Sequence, residues 1–147
     1  MDPKPRATLE IPEGAVFELE ADGLVIGSKD DVIIRGNIGH RLKKVFSENG
    51  SIELRSTTEI VIEAIESKKG TITIAGPVRA KSVKGAKIHL LEGSLSARSV
   101  NAEHSIELRG GTIEADLVMS PTVLVSATVR GRATVIESQN ERSKSVV

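Results

Sequence analysis

The pentapeptide Ser-Ile-Glu-Leu-Arg occurs twice, at Ser51–Arg55 and Ser105–Arg109, 54 residues apart or three steps of 18. Between the copies lie two more short alternating runs, Thr71–Ile74 and Lys87–Leu90, and Thr122–Val125 follows the second copy. Their first apolar residues are Ile52, Ile72, Ile88, Ile106 and Val123, at steps of 20, 16, 18 and 17. A second family of segments is interleaved with these, led by Ile62, Val78, Leu95, Ile113 and Val129 at steps of 16, 17, 18 and 16. Two places after each lead residue stands a small one: Ala64, Ala80, Ala97, Ala115 and Gly131. A period this short cannot enclose a core by itself. Each unit has to bury its apolar face against the next, which is the logic of a solenoid.

Within each unit the apolar residues alternate with polar ones, as in a strand with one buried face. Ile and Val dominate the inward places, and β-branched side chains suit a pleated sheet. Gly50, Gly70, Gly76, Gly85, Gly93, Gly110, Gly111 and Gly131 punctuate the runs. The expected fold is all-β, a right-handed parallel β-helix of about six to seven coils of about 17 residues each. A left-handed β-helix would need a six-residue period, which is absent. A β-sandwich gives no reason for equivalent residues to recur at one interval.

This register places Glu63 over Arg79, Glu114 over Arg130, and Asp116 between Arg98 and Arg132 on the outer surface, with Lys81 over Arg98 as a like-charge exception. Exposed pairs contribute only about 0–1 kcal/mol each, so their effect is on register rather than stability. The first third fits the period less well. Val16 and Val32 suggest earlier coils 16 residues apart, and residues 39–49 read as an irregular crossover. Residues 1–10 and 138–147 read as polar tails flanking a β-helix domain over 11–137.

Composition narrows the function. Twenty basic side chains balance twenty acidic ones, so no single-sign field favours nucleic acid. The absence of Cys excludes disulfides and thiolate metal sites, and the absence of Trp and Tyr with only two Phe argues against aromatic stacking platforms. His40, His89 and His104 lack ligand spacing and read as solvated, with no metal or other cofactor expected. Glu114 and Asp116 could reach glycosidase separation on stacked coils, but arginines face them in this register. No phosphate-binding Gly-rich loop is present, and no catalytic constellation is legible. No apolar run is long enough for a membrane span, and the start Met1–Arg6 lacks a signal-peptide stretch, so the expected location is the cytoplasm.

The segments Leu95–Val100, the Ile-Glu-Leu run after them and Gly110-Gly111-Thr112-Ile113-Glu114-Ala115 resemble those of bactofilins. The resemblance covers residues 24–136 and lies in pattern rather than in a fixed motif. The β-helical domain of the division inhibitor MinC and the FapA-like polysaccharide-associated β-helices are similar in the same way, Gly76–Lys81 matching the latter. Resemblance to bactofilins implies a bacterial cytoskeletal protein, a compact right-handed β-helix with short tails that polymerises without nucleotide.

The rod's ends point toward a related expectation. A β-helix ends in unsatisfied edges that template further pairing unless they are capped. Val16, Phe17 and Leu19 at one end, and Val129, Val135 and Ile136 at the other, are the expected self-assembly surfaces. Two basic clusters stand out besides these. Arg41, Lys43 and Lys44 with Phe46 interrupt the repeat and suggest a partner or lipid contact, while Arg79, Lys81, Lys84 and Lys87 read as a solvated face. The expected function is a non-enzymatic scaffold that stacks end to end as a homo-oligomer or filament and positions other proteins, with peripheral contact at the inner membrane. The alternative is a dimeric adaptor that binds a partner through one face.

Overall fold

The computed structural model describes residues 8–10, 16–20, 23–35, 42–57, 59–137 and 142–146. The chain forms a parallel β-solenoid of about six turns, without helix among the described residues. Its strands are β1 (Thr8–Glu10), β2 (Val16–Glu20), β3 (Gly23–Ser28), β4 (Val32–Arg35), β5 (Leu42–Ser47), β6 (Ile52–Arg55), β7 (Ile60–Ser67), β8 (Thr71–Leu108), β9 (Thr112–Ser120), β10 (Thr122–Val125), β11 (Arg130–Glu137) and β12 (Arg142–Val146).

Three ladders run along the rod. In the first, Val32 pairs with Ile52 and Ile52 with Ile72. The same ladder ends with Val123 on Ile106. Between them, the Arg109 N–H donates to the Leu90 carbonyl at 2.9 Å and the Lys87 N–H to that of Gly70 at 3.4 Å, which seats the Ile106 run on the Ile88 run and that on the Ile72 run. The expected steps of 20, 16, 18 and 17 are therefore the actual ones. In the second ladder Ala97 pairs with Ala115, and Leu95 with Ile113. The third carries Ile26 on Val45, Val45 on Ile65 and Ile65 on Val83, then Val100 on Val118 and Val118 on Val135.

The second and third ladders meet at a corner where two successive residues leave the core. Between buried Ile62 and Ile65 lie Glu63 and Ala64, and between buried Ala80 and Val83 lie Lys81 and Ser82. This keeps the backbone extended through that bend, while β8 as a whole winds through successive coils and turns again at Gly93, where φ is +83°. The core is aliphatic, with Ile52, Leu54, Ile72, Ile74, Ile88, Leu90 and Ile106 all at 0% exposure. Each such side chain contributes about 1.5–3 kcal/mol on burial.

A different corner is built from hydroxyls. Ser47 Oγ donates to the Asp30 carbonyl at 2.6 Å and accepts the Gly50 N–H at 3.0 Å. Ser67 Oγ repeats this one coil on, donating to the Gly50 carbonyl at 2.8 Å and accepting from Gly70 N–H at 3.0 Å. Ser120 is as buried as Ser67, but its hydroxyl has no hydrogen-bond partner. Ser67→Ala is expected to cost about 1–2 kcal/mol, because the carbonyl and amide it serves stay behind unsatisfied, whereas Ser120→Ala is expected to be neutral or slightly stabilising. Urea denaturation of the two variants measures the difference.

Four expectations need correction. First, Val16 does not begin an earlier coil under Val32: β2 pairs antiparallel with β3, Val16 lying opposite Gly27, and Val32 belongs to the Ile52 column. Second, residues 39–49 are not a crossover where described: 42–47 is strand β5, paired between β3 and β7, and the irregularity is a single register shift against β3 between Leu42 and Lys44. Third, the outermost members of the second ladder sit two residues away from the expected register. Val78 lies on Ile60 rather than Ile62, and Gly131 rather than Val129 lies on Ile113. Fourth, both expected tails contribute strands: β1 pairs antiparallel with β4, and β12 with β11.

Candidate interaction surfaces

The rod ends differ from the sequence expectation because antiparallel strands cover three terminal edges. β1 lies on β4, β2 on β3, and β12 on β11. Each of these strands runs antiparallel to its neighbour and so ends the parallel coil repeat that an open solenoid would continue. Of the expected assembly residues, Val135 is fully buried, Val129 is 4% exposed and Ile136 is half-buried. Val16, Phe17 and Leu19 belong to β2, but their side chains lie outside the described residues.

Among the described residues, the exposed large apolar side chains near the C-terminal end come instead from β10. Leu124 is 55% exposed and Val125 is 40% exposed. Val125 pairs with Leu108, which is a core residue, so it occupies the inward column yet stays 40% exposed. With Glu107, Leu108, Arg109 and Ser126 these two residues line an open hollow of about 530 Å³. The sequence missed this patch because Thr122–Val125 looks like any other interior run.

The first basic cluster is part of a wall, not a loop. Lys43, Lys44 and Phe46 lie on β5 and are half-buried, while Arg41 lies outside the described residues. Lys44 Nζ stands 3.5 Å from Glu66 Oε2 and 5.3 Å from the centre of the Phe46 ring. The ring itself rests on Gly27, its neighbour across the ladder, where a side chain would collide with it. The cation–π and ion-pair contacts hold Lys44 along the sheet rather than projecting it.

On the outer surface of the second ladder the charges obey the true register. Lys81 Nζ pairs with Glu63 Oε1 at 3.4 Å and Arg79 Nη2 with Glu59 Oε2 at 3.6 Å, in place of the expected Glu63–Arg79 contact. Arg132 lies in register with Glu114, and Arg130 with Thr112, in place of the expected Glu114–Arg130 pair. These columns flank a shallow groove of about 500 Å³ floored by Ile62, Ala80, Ala97 and Ala115.

His89 is not the solvated side chain its sequence context suggests. The 18-residue coil step brings its Nε2 to 3.7 Å from Glu107 Oε2, and Arg109 Nη2 reaches the same oxygen at 2.7 Å. Burial lowers the His89 pKa below its ordinary 6.5 despite the opposing pull of Glu107, while Arg109 and Lys87 add to the depression. The Arg109 hydrogen bond, chiefly, holds Glu107 below 4.5. A depressed imidazole means that the unfolded chain binds the proton more readily, so stability falls as pH drops below 6.5. The depressed carboxylate acts in the same direction at lower pH, its stabilisation being lost below 4.5. His89→Gln is therefore expected to flatten the upper part of the acid limb and leave the lower part, as measured by thermal melts across pH.

His104 is exposed and His40 lies outside the described residues. Among the described residues no three His, Asp or Glu side chains gather as metal ligands. No helix among them is long and apolar enough to cross a membrane. Comparison with protein-family models, curated proteins and solved structures returns no match.

Proposed function

We propose that this chain is a non-enzymatic scaffold whose β-solenoid rod associates with itself and holds partner proteins along its faces. The observation that carries this reading is the C-terminal rung, where Val125 continues the core column into solvent beside exposed Leu124. A soluble rod with an apolar final rung gains by covering it. The bactofilin resemblance supports the same reading.

The antiparallel strands at the ends favour a second form of it, a discrete dimeric adaptor rather than an endless filament, since three terminal edges are occupied. Negative-stain imaging with sedimentation velocity separates the two. Filaments support the stacking scaffold, discrete dimers support the adaptor, and a monomer at every concentration contradicts both. Leu124→Asp is expected to reduce end-mediated association without unfolding the chain, because the side chain is already half in water. Val129→Asp would be uninformative, since burial of that residue makes it a folding mutation.

A further inference from the structure

The charges on the outer face of the second ladder follow an order that is complementary to itself. Successive rungs present Val61 and Glu63, Arg79 and Lys81, Ser96 and Arg98, Glu114 and Asp116, then Arg132. The rung below Ser96 is thus doubly cationic and the rung above it doubly anionic. Small residues between the two columns leave the groove shallow and open to a facing surface.

We propose that this face is a lateral contact between two copies of the chain, packed antiparallel about a two-fold axis that runs along the strands at the level of Ser96. The inference rests on the self-association reading above and assigns it a lateral surface, distinct from the C-terminal rung. Rungs are about 4.8 Å apart, so the axis exchanges the Arg79 rung with the Glu114 rung at equal distance on either side. Arg79 then meets Glu114 of the partner subunit, and Lys81 meets Asp116 of the partner subunit, each contact being made twice. The short Ser96 side chain opposes its own symmetry mate at the axis. Arg98 also opposes its mate, but it stands beside Asp116 of its own chain, since Ala97 and Ala115 are in register. Val61, 46% exposed, lies at the level of the partner's Arg132, whose aliphatic stem can cover it.

The orientation follows from the charges. A two-fold axis along the rod would make the copies parallel and set Arg79 against the partner's Lys81 and Glu114 against the partner's Asp116, which is repulsive throughout. Only the antiparallel arrangement brings opposite signs together. The existing pairs of Arg79 with Glu59 and Lys81 with Glu63 do not forbid it, because the two cations are still 64% and 62% exposed and can be shared across the contact. Complementary charge of this kind selects partner and orientation more than it adds affinity.

The test uses two variants of the full chain, Arg79→Glu with Lys81→Glu and Glu114→Lys with Asp116→Lys. Each alone sets like charges against each other in both halves of the contact and is expected to weaken self-association about tenfold or more in sedimentation equilibrium. Mixed in equal amounts, the two regain attraction in both halves and are expected to form a heterodimer within about threefold of the wild-type affinity. Circular dichroism of each variant alone checks that the β-solenoid is retained. Single variants that associate like wild type, or a mixture that does not recover, overturn the proposal. If Leu124→Asp dissociates the protein while the charge variants do not, the contact lies at the rod end. That outcome overturns this surface and leaves the scaffold reading standing, whereas a wild-type chain that never associates removes both.

Discussion

Gly93→Ala is expected to lose about 2–5 kcal/mol of stability, a large share of the 5–15 kcal/mol available to a domain. Gly93 has a φ of +83°, in the region where a Cβ costs roughly 1–2 kcal/mol before any packing is considered. A Cβ there would also fall onto the backbone of Gly76, the equivalent corner residue one coil below. Gly111, with φ +82°, in turn stands over Gly93. Backbone presses on backbone along this edge, so no side chain can swing aside to make room. The added strain has to be absorbed by shifting a whole coil, at about 1–3 kcal/mol. Gly85→Ala is the matched control. Its Cβ would meet the Ile72 side chain at 3.0 Å and the Lys87 carbonyl at 3.3 Å, tight contacts without the backbone overlap or positive φ of Gly93, and the expected loss is smaller, about 1 kcal/mol. Urea midpoints followed by circular dichroism measure both, and equal losses at the two positions would contradict the stacked-corner geometry.

Val45→Asp carries the second large effect. Val45 is 0% exposed and lies between Ile26 and Ile65 in the third ladder. A carboxylate there has no partner within the aliphatic column, and burying it costs several kcal/mol unless it protonates. The expected result is loss of the folded N-terminal coils, seen as a lower melting temperature and early proteolysis in that third of the chain. Glu48→Ala, at an exposed position on the adjoining corner, is expected to change stability by no more than about 0.5 kcal/mol. An unchanged melt for Val45→Asp would mean that this stretch is the loop its sequence suggests, not a rung.

Why the sequence suggests a loop there is itself physical. In the later coils the step is 17 or 18 residues, as from Leu95 to Ile113 and from Ile106 to Val123. In the early coils it is 19 or 20, as from Ile26 to Val45 and Val45 to Ile65. The extra residues form the Ser47–Gly50 and Ser67–Gly70 corners, which later coils replace with a direct turn at Gly85 and Ala86. Two outward lysines in succession, Lys43 and Lys44, also hide the alternation of β5, just as Glu63 and Ala64 interrupt β7. The recurrence of Ser-x-x-Gly at a 20-residue interval was the available clue, because its hydroxyl serves both the turn and the coil below.

The two-residue errors at Ile62 and Val129 have another cause. A one-residue slip would turn every side chain inside out and is easily excluded, but a two-residue slip preserves the in–out pattern. Hydrophobic alternation alone cannot detect it. The ion pairs can: Lys81 meets Glu63 only in the correct register. The Ala97–Ala115 pairing, near the middle of the rod, was legible because the coils around it are of nearly equal length. The interaction surfaces were less legible. Which inward residue is last in its column depends on how the chain closes, and the antiparallel strands lie outside the repeat: β1 and β2 flank Pro12 and β12 is polar, so no recurring interval marks them.

The stacked coil itself can be tested by distances along one outward column. The chain has no native cysteine, so pairs of spin labels can be placed at Val61 with Arg79, Val61 with Ser96, Val61 with Glu114 and Val61 with Arg132. Electron paramagnetic resonance on dilute, magnetically isolated molecules should give separations that grow by about 4.8 Å for each coil crossed, reaching about 19 Å at Arg132. Separations that fail to increase in that order, or that jump irregularly between neighbouring coils, would contradict the solenoid and every surface derived from it.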